Sequence, residues 1–293
     1  MAYPKLRYKK VKSGGLYLQV GTLGEGPPVI LLHGFPENAY SWRYQIEPLA
    51  AAGFSVWAPH LRGYPPSDIS PKRADYNLRY LIRDVAAVVK LTGQPRAHVV
   101  GHDWGGIIAW TFAGRFPEML DRLVIMNAPH MEIYFEKLWR SSQSVRSFYA
   151  AFFKLPVLPE KLLSANDFYL LRRVFRSMPK RKQAFSSADI DYFISQLAKP
   201  GALTAALHYY RENFMASSME LARASHVDAP TMVLWGERDP ALGTFLLEGL
   251  ERFASLLTIH RFADAGHWVH SEIPEKVNPL LISFLKGENQ DKT

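Results

Sequence analysis

Gly101-His102-Asp103-Trp104-Gly105-Gly106 is the stretch on which the reading of the chain turns. Arg96-Ala97-His98-Val99-Val100 before it reads as a buried strand, and Ile107 to Arg115 after it reads as a helix. A turn from strand straight into helix leaves little room. Small residues must surround the central one, which is pushed outward. The spacing is that of a nucleophile elbow, Gly-x-Nu-x-Gly, with aspartate where serine is usual. A carboxylate is already ionised at pH 7 and attacks without a base. That suits displacement at a saturated carbon better than acyl transfer.

Outward from the elbow, apolar runs recur on both sides. Val29-Ile30-Leu31-Leu32, Ser55-Val56-Trp57-Ala58 and Leu123-Val124-Ile125-Met126 read as buried strands. Leu78, Leu81, Ile82, Val85, Val88 and Val89 recur at helical spacing, and Gly93 and Pro95 close that helix. Fully apolar strands alternating with helices imply an α/β fold, a mostly parallel sheet covered on both faces. From about His130 to His226 the alternation stops. Segments rich in Phe, Tyr, Leu and Arg there have helical spacing and predict an insertion. Thr231-Met232-Val233-Leu234-Trp235 and Leu256-Leu257-Thr258-Ile259 resume the sheet. Val277, Leu280, Leu281, Phe284 and Leu285 share a face of the last helix, which Pro279 should kink or start late. The expected division is residues 1–129 and 227–293 for two parts of one core, and 130–226 for a helical cap.

The 293 residues, 48% hydrophobic and 21% charged, are those of a soluble globular protein with a sizeable core. The absence of cysteine excludes disulfide and thiol chemistry. Met1-Ala2-Tyr3-Pro4-Lys5-Leu6-Arg7 has no apolar run for a signal peptide, and no stretch approaches the roughly 20 apolar residues of a membrane span. A cytoplasmic location is the expectation. Part of the net charge of +8 sits in Leu171-Arg172-Arg173-Val174-Phe175-Arg176 and Pro179-Lys180-Arg181-Lys182. It reads as a solvated surface, with an anionic membrane or an acidic partner as the alternative. No nucleic-acid module and no His-Glu-x-x-His or other zinc spacing occurs.

Polar residues follow the strands in a telling order. His33-Gly34-Phe35-Pro36 comes after the first apolar run and Asp103 in the elbow. Gly236-Glu237-Arg238-Asp239 and Ala265-Gly266-His267 come after the later runs. Nucleophile, acid and histidine in that order would converge at the carboxyl ends of parallel strands, where open α/β sheets bind ligands. With Glu37, Arg62-Gly63-Tyr64 and Trp235, these fragments make the chain resemble an epoxide hydrolase of the α/β-hydrolase superfamily over nearly its whole length. Arg62-Gly63-Tyr64 continues into Pro65-Pro66-Ser67-Asp68, where the family usually has a small residue.

The resemblance implies an Asp-His-Asp triad: Asp103 the nucleophile, His267 the base and Asp239 the acid that orients the imidazole. Glu237 rivals Asp239, and His260 and His270 rival His267. Asn127, at the position where some relatives carry the acid, cannot ionise. The backbone N–H groups of Phe35 and Trp104 would form the oxyanion hole. Two tyrosines of the insertion would protonate the opened oxygen, matched by Tyr149 and Tyr210, with Tyr209 the rival of the latter. Phe35, Trp104, Phe152, Phe153 and Leu155 would be apolar walls, suited to aryl or alkyl epoxides. No metal or organic cofactor is implied. The implied partner is a small-molecule epoxide, and both monomer and homodimer fit. A haloalkane or haloacetate dehalogenase would use the same aspartate. A ligand-binding protein on a hydrolase scaffold is the non-enzymatic alternative.

Overall fold

The computed structural model describes residues 4–138, 141–214, 220, 221 and 226–288. Among them, β1 (Arg7–Ser13), β2 (Leu16–Leu23), β3 (Pro28–Leu32), β4 (Ser55–Pro59), β5 (Ala97–His102), β6 (Leu120–Met126), β7 (Thr231–Gly236) and β8 (Leu257–Phe262) form one sheet. Its order is β1-β2-β4-β3-β5-β6-β7-β8. The strands from β3 to β8 pair in parallel, whereas β2 pairs antiparallel with both β1 and β4. The β1–β2 hairpin is not among the apolar runs, because β1 is mostly charged and exposed and β2 mixes apolar with polar residues. Gly14 and Gly15, with φ of 56° and 86°, make its turn, the left-handed pair that matches the twist of a hairpin.

The parallel strands are apolar on both faces because two separate cores cover them. Ile30, Leu32, Val99, Leu123, Ile125 and Val233 pack on one side with α2 (Leu78–Leu91) and α3 (Trp104–Arg115). Val29, Leu31, Val100, Val124, Met232 and Leu234 pack on the other with α1 (Ile46–Ala51) and the C-terminal helix Pro274–Lys286. Neighbours in sequence thus go to opposite cores, the period of two expected for a strand. Asn77 caps α2 by accepting from the Arg79 amide. In α3 every residue from Trp104 to Ala113 is buried, so this helix sits inside the molecule and shows no polar face. The C-terminal helix starts at Pro274 and carries Pro279 inside it.

Between β6 and β7 lie α4 (Met131–Leu138), α5 (Gln143–Arg146), α6 (Phe148–Phe153), α7 (Leu158–Ser177), α8 (Ser187–Leu197) and α9 (Ala202–Asn213). No strand intervenes among the described residues, and this helical insertion joins the two parts of the sheet. α7 is broken in the middle. Ala165 is extended, and Asn166, Asp167 and Phe168 take left-handed φ of 49°, 54° and 56°. Left-handed backbone costs a non-glycine residue roughly 1–2 kcal/mol. Arg172 supports the break, donating from Nε to the Asp167 carbonyl at 2.8 Å and pairing with the Asp167 carboxylate. The insertion is tied to the core at Asp189, which accepts from the Tyr40 hydroxyl at 2.7 Å, and at the Ala184 carbonyl, which accepts from Arg43 at 2.9 Å.

Candidate active site

The chain leaves β3 toward β4 on one side of the sheet and returns to β5 on the other. The crevice at the carboxyl ends of β3 and β5 is the switch point where such sheets hold ligands. Asp103 stands there with φ 51° and ψ −122°, a strained conformation for a residue with a side chain. Close packing holds the corner. A Cβ on Gly101 would strike the Gly105 carbonyl, and one on Gly105 would strike the Leu32 carbonyl. A Cβ on Gly34 would strike Asp103 itself. Side chains are excluded at these positions, and Asp103 is the one that projects.

The Phe35 amide donates to Asp103 Oδ1 at 2.8 Å. Trp104 opens α3, so its amide is among those that no intrahelical carbonyl can satisfy. The other carboxylate oxygen, Oδ2, lies 3.6 Å from His267 Nε2. On the far side of the ring, His267 Nδ1 donates to Asp239 Oδ2 at 2.7 Å. Asp239 is fully engaged. Oδ2 also accepts from Asn127 Nδ2 at 2.9 Å, and Oδ1 accepts from the amides of Ala241 and Leu242 at 2.8 and 3.0 Å.

These contacts set the charges. Burial alone would raise the Asp239 pKa, but His267, Asn127 and the Ala241 amide hold it below the usual carboxylate value. Burial likewise favours neutral His267, yet Asp239, Asp103 and Glu37 together outweigh it and lift its pKa from 6.5 to about 9. The resting imidazole is therefore a cation between two carboxylates. Glu37 belongs to a buried trio with His102 and His270, whose carboxylate oxygen and ring nitrogens lie within 4.8 Å of one another. His102 Nε2 is taken up by the His267 carbonyl at 2.9 Å. Glu37 Oε2 lies 3.4 Å from His102 Nδ1, so the carboxyl group is held against the ring that meets the His267 backbone.

A cavity of about 420 Å³ is lined by Asp103 and His267 of the core and by residues of the insertion helices. Tyr149 of α6 and Tyr210 of α9 are among the latter. The two phenol rings are 6.1 Å apart, centroid to centroid. Burial, with Asp103 adding its charge, drives both hydroxyl pKa values well above 10, so both keep their protons. Tyr210 stands edge-on to Trp104 at 5.0 Å and to Phe35 at 5.7 Å. Its neighbour Arg211 anchors α9 by donating to the carbonyls of Phe153 and Leu155 and by a forked bond to Glu160. Tyr209 turns the other way, giving its hydroxyl to the Arg62 carbonyl at 2.7 Å.

The α/β-hydrolase fold family matches residues 27–274. Epoxide hydrolase 3 of Mus musculus is 36% identical over 94% of this chain and 76% of its own length. Epoxide hydrolase 4 of Homo sapiens is 34% identical over 97% of this chain and 80% of its own. Among solved structures, an epoxide hydrolase of Bacillus megaterium in complex with an inhibitor has a TM-score of 0.85 at 26% identity, covering 95% of this chain and all of that one. The chain belongs to the epoxide hydrolases of the α/β-hydrolase fold.

Within this epoxide-hydrolase chain the structure brings Asp103, His267, Asp239, Tyr149 and Tyr210 to one place. Phe35, Phe152 and Phe153 line the main cavity. Trp104 lines a smaller adjoining one with Tyr149 and Tyr210. Leu155, expected as a wall, is not on either. It is 46% exposed, because it follows the end of α6, where Arg211 holds its carbonyl and the side chain turns to solvent. Glu237 is occupied by Arg261 at 2.7 Å, outside the site. His270 packs against His102 and is buried, which drives its pKa well below 6.5.

Three contributors carry no motif of their own. Asn127 acts as a clamp, bonding Asp239 with its amide and the backbone of Gly236 with both ends. Glu272 accepts from the amides of Gly266 and Trp268 on either side of His267, and from those of Lys180 and Arg181 of the insertion. Arg146 lines the cavity and donates to the carbonyls of Asp239 and Pro240.

Proposed function

We propose that this chain hydrolyses epoxides to vicinal diols in two steps, through an ester formed on Asp103. The helical segment 130–226 serves as the cap over a core made of 1–129 and 227–293. One observation carries the reading. A carboxylate with a free oxygen toward an imidazole shares a cavity with two protonated phenols.

In the first step Tyr149 and Tyr210 hold the epoxide oxygen, and Asp103 Oδ2 attacks a ring carbon from the opposite face. The C–O bond breaks and one phenol gives its proton to the opened oxygen. Alkylation turns Asp103 into a neutral ester, removing one of the charges that hold the His267 cation. The imidazolium then releases its proton, which replaces the one the phenol gave. Neutral His267 takes a proton from water, and the hydroxide attacks the ester carbon. Oδ1 carries the charge of the tetrahedral intermediate, facing the amides of Phe35 and Trp104. The leaving alkoxide takes the remaining water proton. Carboxylate, imidazolium and both phenols end as they began, and no electrons are exchanged. Apolar lining by Phe152, Phe153, Leu163 and Val174 fits aryl or alkyl epoxides.

The test is the His267→Gln variant. Attack survives and hydrolysis stalls, so intact-mass spectrometry after addition of styrene oxide should show one substrate mass added. An unmodified protein that still binds the epoxide would overturn the two-step scheme. A dehalogenase would instead release halide from a haloalkane panel faster than diol from styrene oxide.

A further inference from the structure

We propose that the outer face of α5–α7 docks on an anionic lipid surface, with the cavity mouth turned toward the membrane. Twelve large hydrophobic side chains are exposed among the described residues, and eight of them fall between Val145 and Leu170. Phe148 is 74% exposed and Val157 57%, with Leu155, Leu158 and Leu162 following on the same stretch. Leu158 and Leu162 are one helical turn apart in α7 and so share a face. An apolar concentration of this kind on a protein surface marks a contact site.

Charge selects the occupant. Residues 145–182 contain nine lysines and arginines against two acids, so this segment carries +7 of the net +8. Both acids are already paired, Glu160 with Arg211 and Asp167 with Arg172. Lys154, Lys161, Arg173 and Arg176 are exposed and have no carboxylate partner among the described residues. Leucines and phenylalanine interleaved with unpaired cations are the pattern of a helix lying in a lipid interface, where apolar groups enter the acyl boundary and cations meet phosphate headgroups. A protein partner of acidic surface would meet the cations but leave the leucines unused.

Continuity with the cavity gives the surface a purpose. Leu170 is 42% exposed and also lines the cavity, so the ridge and the interior are one apolar path. Leu163 before the break in α7 and Leu170 after it both line the cavity. Apolar epoxides concentrate in membranes, and a mouth at the lipid surface would receive them without passage through water. This use of the path rests on the epoxide-hydrolase reading, whereas the docking does not.

Flotation of the full chain with phosphatidylcholine vesicles, and with vesicles containing phosphatidylglycerol, tests the proposal. Binding is expected to the anionic vesicles at low salt, weakening as salt rises. Each cation near an anionic leaflet is worth about fivefold in partitioning, so Arg173→Gln with Arg176→Gln should weaken binding by roughly 25-fold. Leu158→Ser with Leu162→Ser should weaken it through the apolar arm. Neither pair lines the cavity, so hydrolysis of a small water-soluble epoxide should be unchanged, and this activity also reports folding. Equal binding to both vesicle types, or binding to neither, overturns the proposal. So does lipid-free self-association that these substitutions abolish, which would make the ridge an interface between two copies. If vesicles bind but no epoxide is hydrolysed, the docking stands and the enzymatic reading falls.

Discussion

Asp103 and His267 share one cavity with Tyr149 and Tyr210, but the two pairs are held in different ways. Asp103, Asp239 and His267 follow β5, β7 and β8 and are fixed by hydrogen bonds to backbone amides, to Asn127 and to one another. Tyr149 and Tyr210 stand on insertion helices and are fixed by ring contacts, with Phe153 within 5.6 Å of both. Directional bonds to a rigid sheet set reacting atoms within tenths of an ångström. Aromatic packing holds a ring in place while leaving room for substrates of different shape. In the proposed mechanism the core fixes the reacting atoms, and the insertion adapts to the substrate.

The largest effect that tests this contrast comes from the core. Asp103→Asn should lower kcat by roughly 10⁴–10⁶-fold, the range seen when a member of a catalytic triad is removed. Steady-state diol release measures it. On the insertion side, Tyr210→Phe should slow ring opening by ~10²-fold, the usual value of a positioned proton donor. Tyr149→Phe should cost no more than that. Single-turnover alkylation separates the two, and an unchanged rate would remove that phenol from the chemistry.

A smaller effect concerns pH and stability. His267 has its pKa raised from 6.5 to about 9, so its contribution to stability is complete below 6.5 and is lost as pH rises through about 9. Asp239, with its pKa lowered, contributes above the ordinary carboxylate value and loses that contribution as acid protonates it. The shift of the histidine corresponds to about 3 kcal/mol. Urea midpoints at pH 7 and pH 10 should differ more for the native chain than for His267→Gln. The smallest effect is at the joint between the two regions. Glu272→Gln weakens four bonds that tie the base loop to Lys180 and Arg181, and should cost about 2 kcal/mol of stability. It should also raise the spread of His267 positions, read as a lower kcat with KM little changed.

What could be read in the sequence follows the same division. Strands buried on both faces announce themselves as apolar runs, and an elbow needs small residues at set spacings, so Asp103 and its core were legible. Chain order pointed to an acid and a histidine after the later strands, and the family resemblance chose Asp239 over Glu237 and His267 over His260 and His270. Tyr149 and Tyr210 were legible only through the family resemblance, since an aromatic on a helix looks the same whether it packs or reacts. In the hairpin, β1 is mostly charged and exposed and β2 mixes apolar with polar residues, which hides it among loops. Leu155 was misplaced because a position just past a helix end has no periodicity to say which way it points. Asn127 and Glu272 work by bonding backbone, and nothing in a residue's identity reveals whose amide it will meet.

The Phe35 amide on Asp103 Oδ1 has an isotopic consequence. A tethered oxygen does not exchange places with its twin, so only Oδ2 is handed to each product and renewed from solvent. After many turnovers in H₂¹⁸O, the peptide bearing Asp103 should retain one light oxygen and one heavy. Two heavy atoms would mean that the carboxylate spins between catalytic rounds.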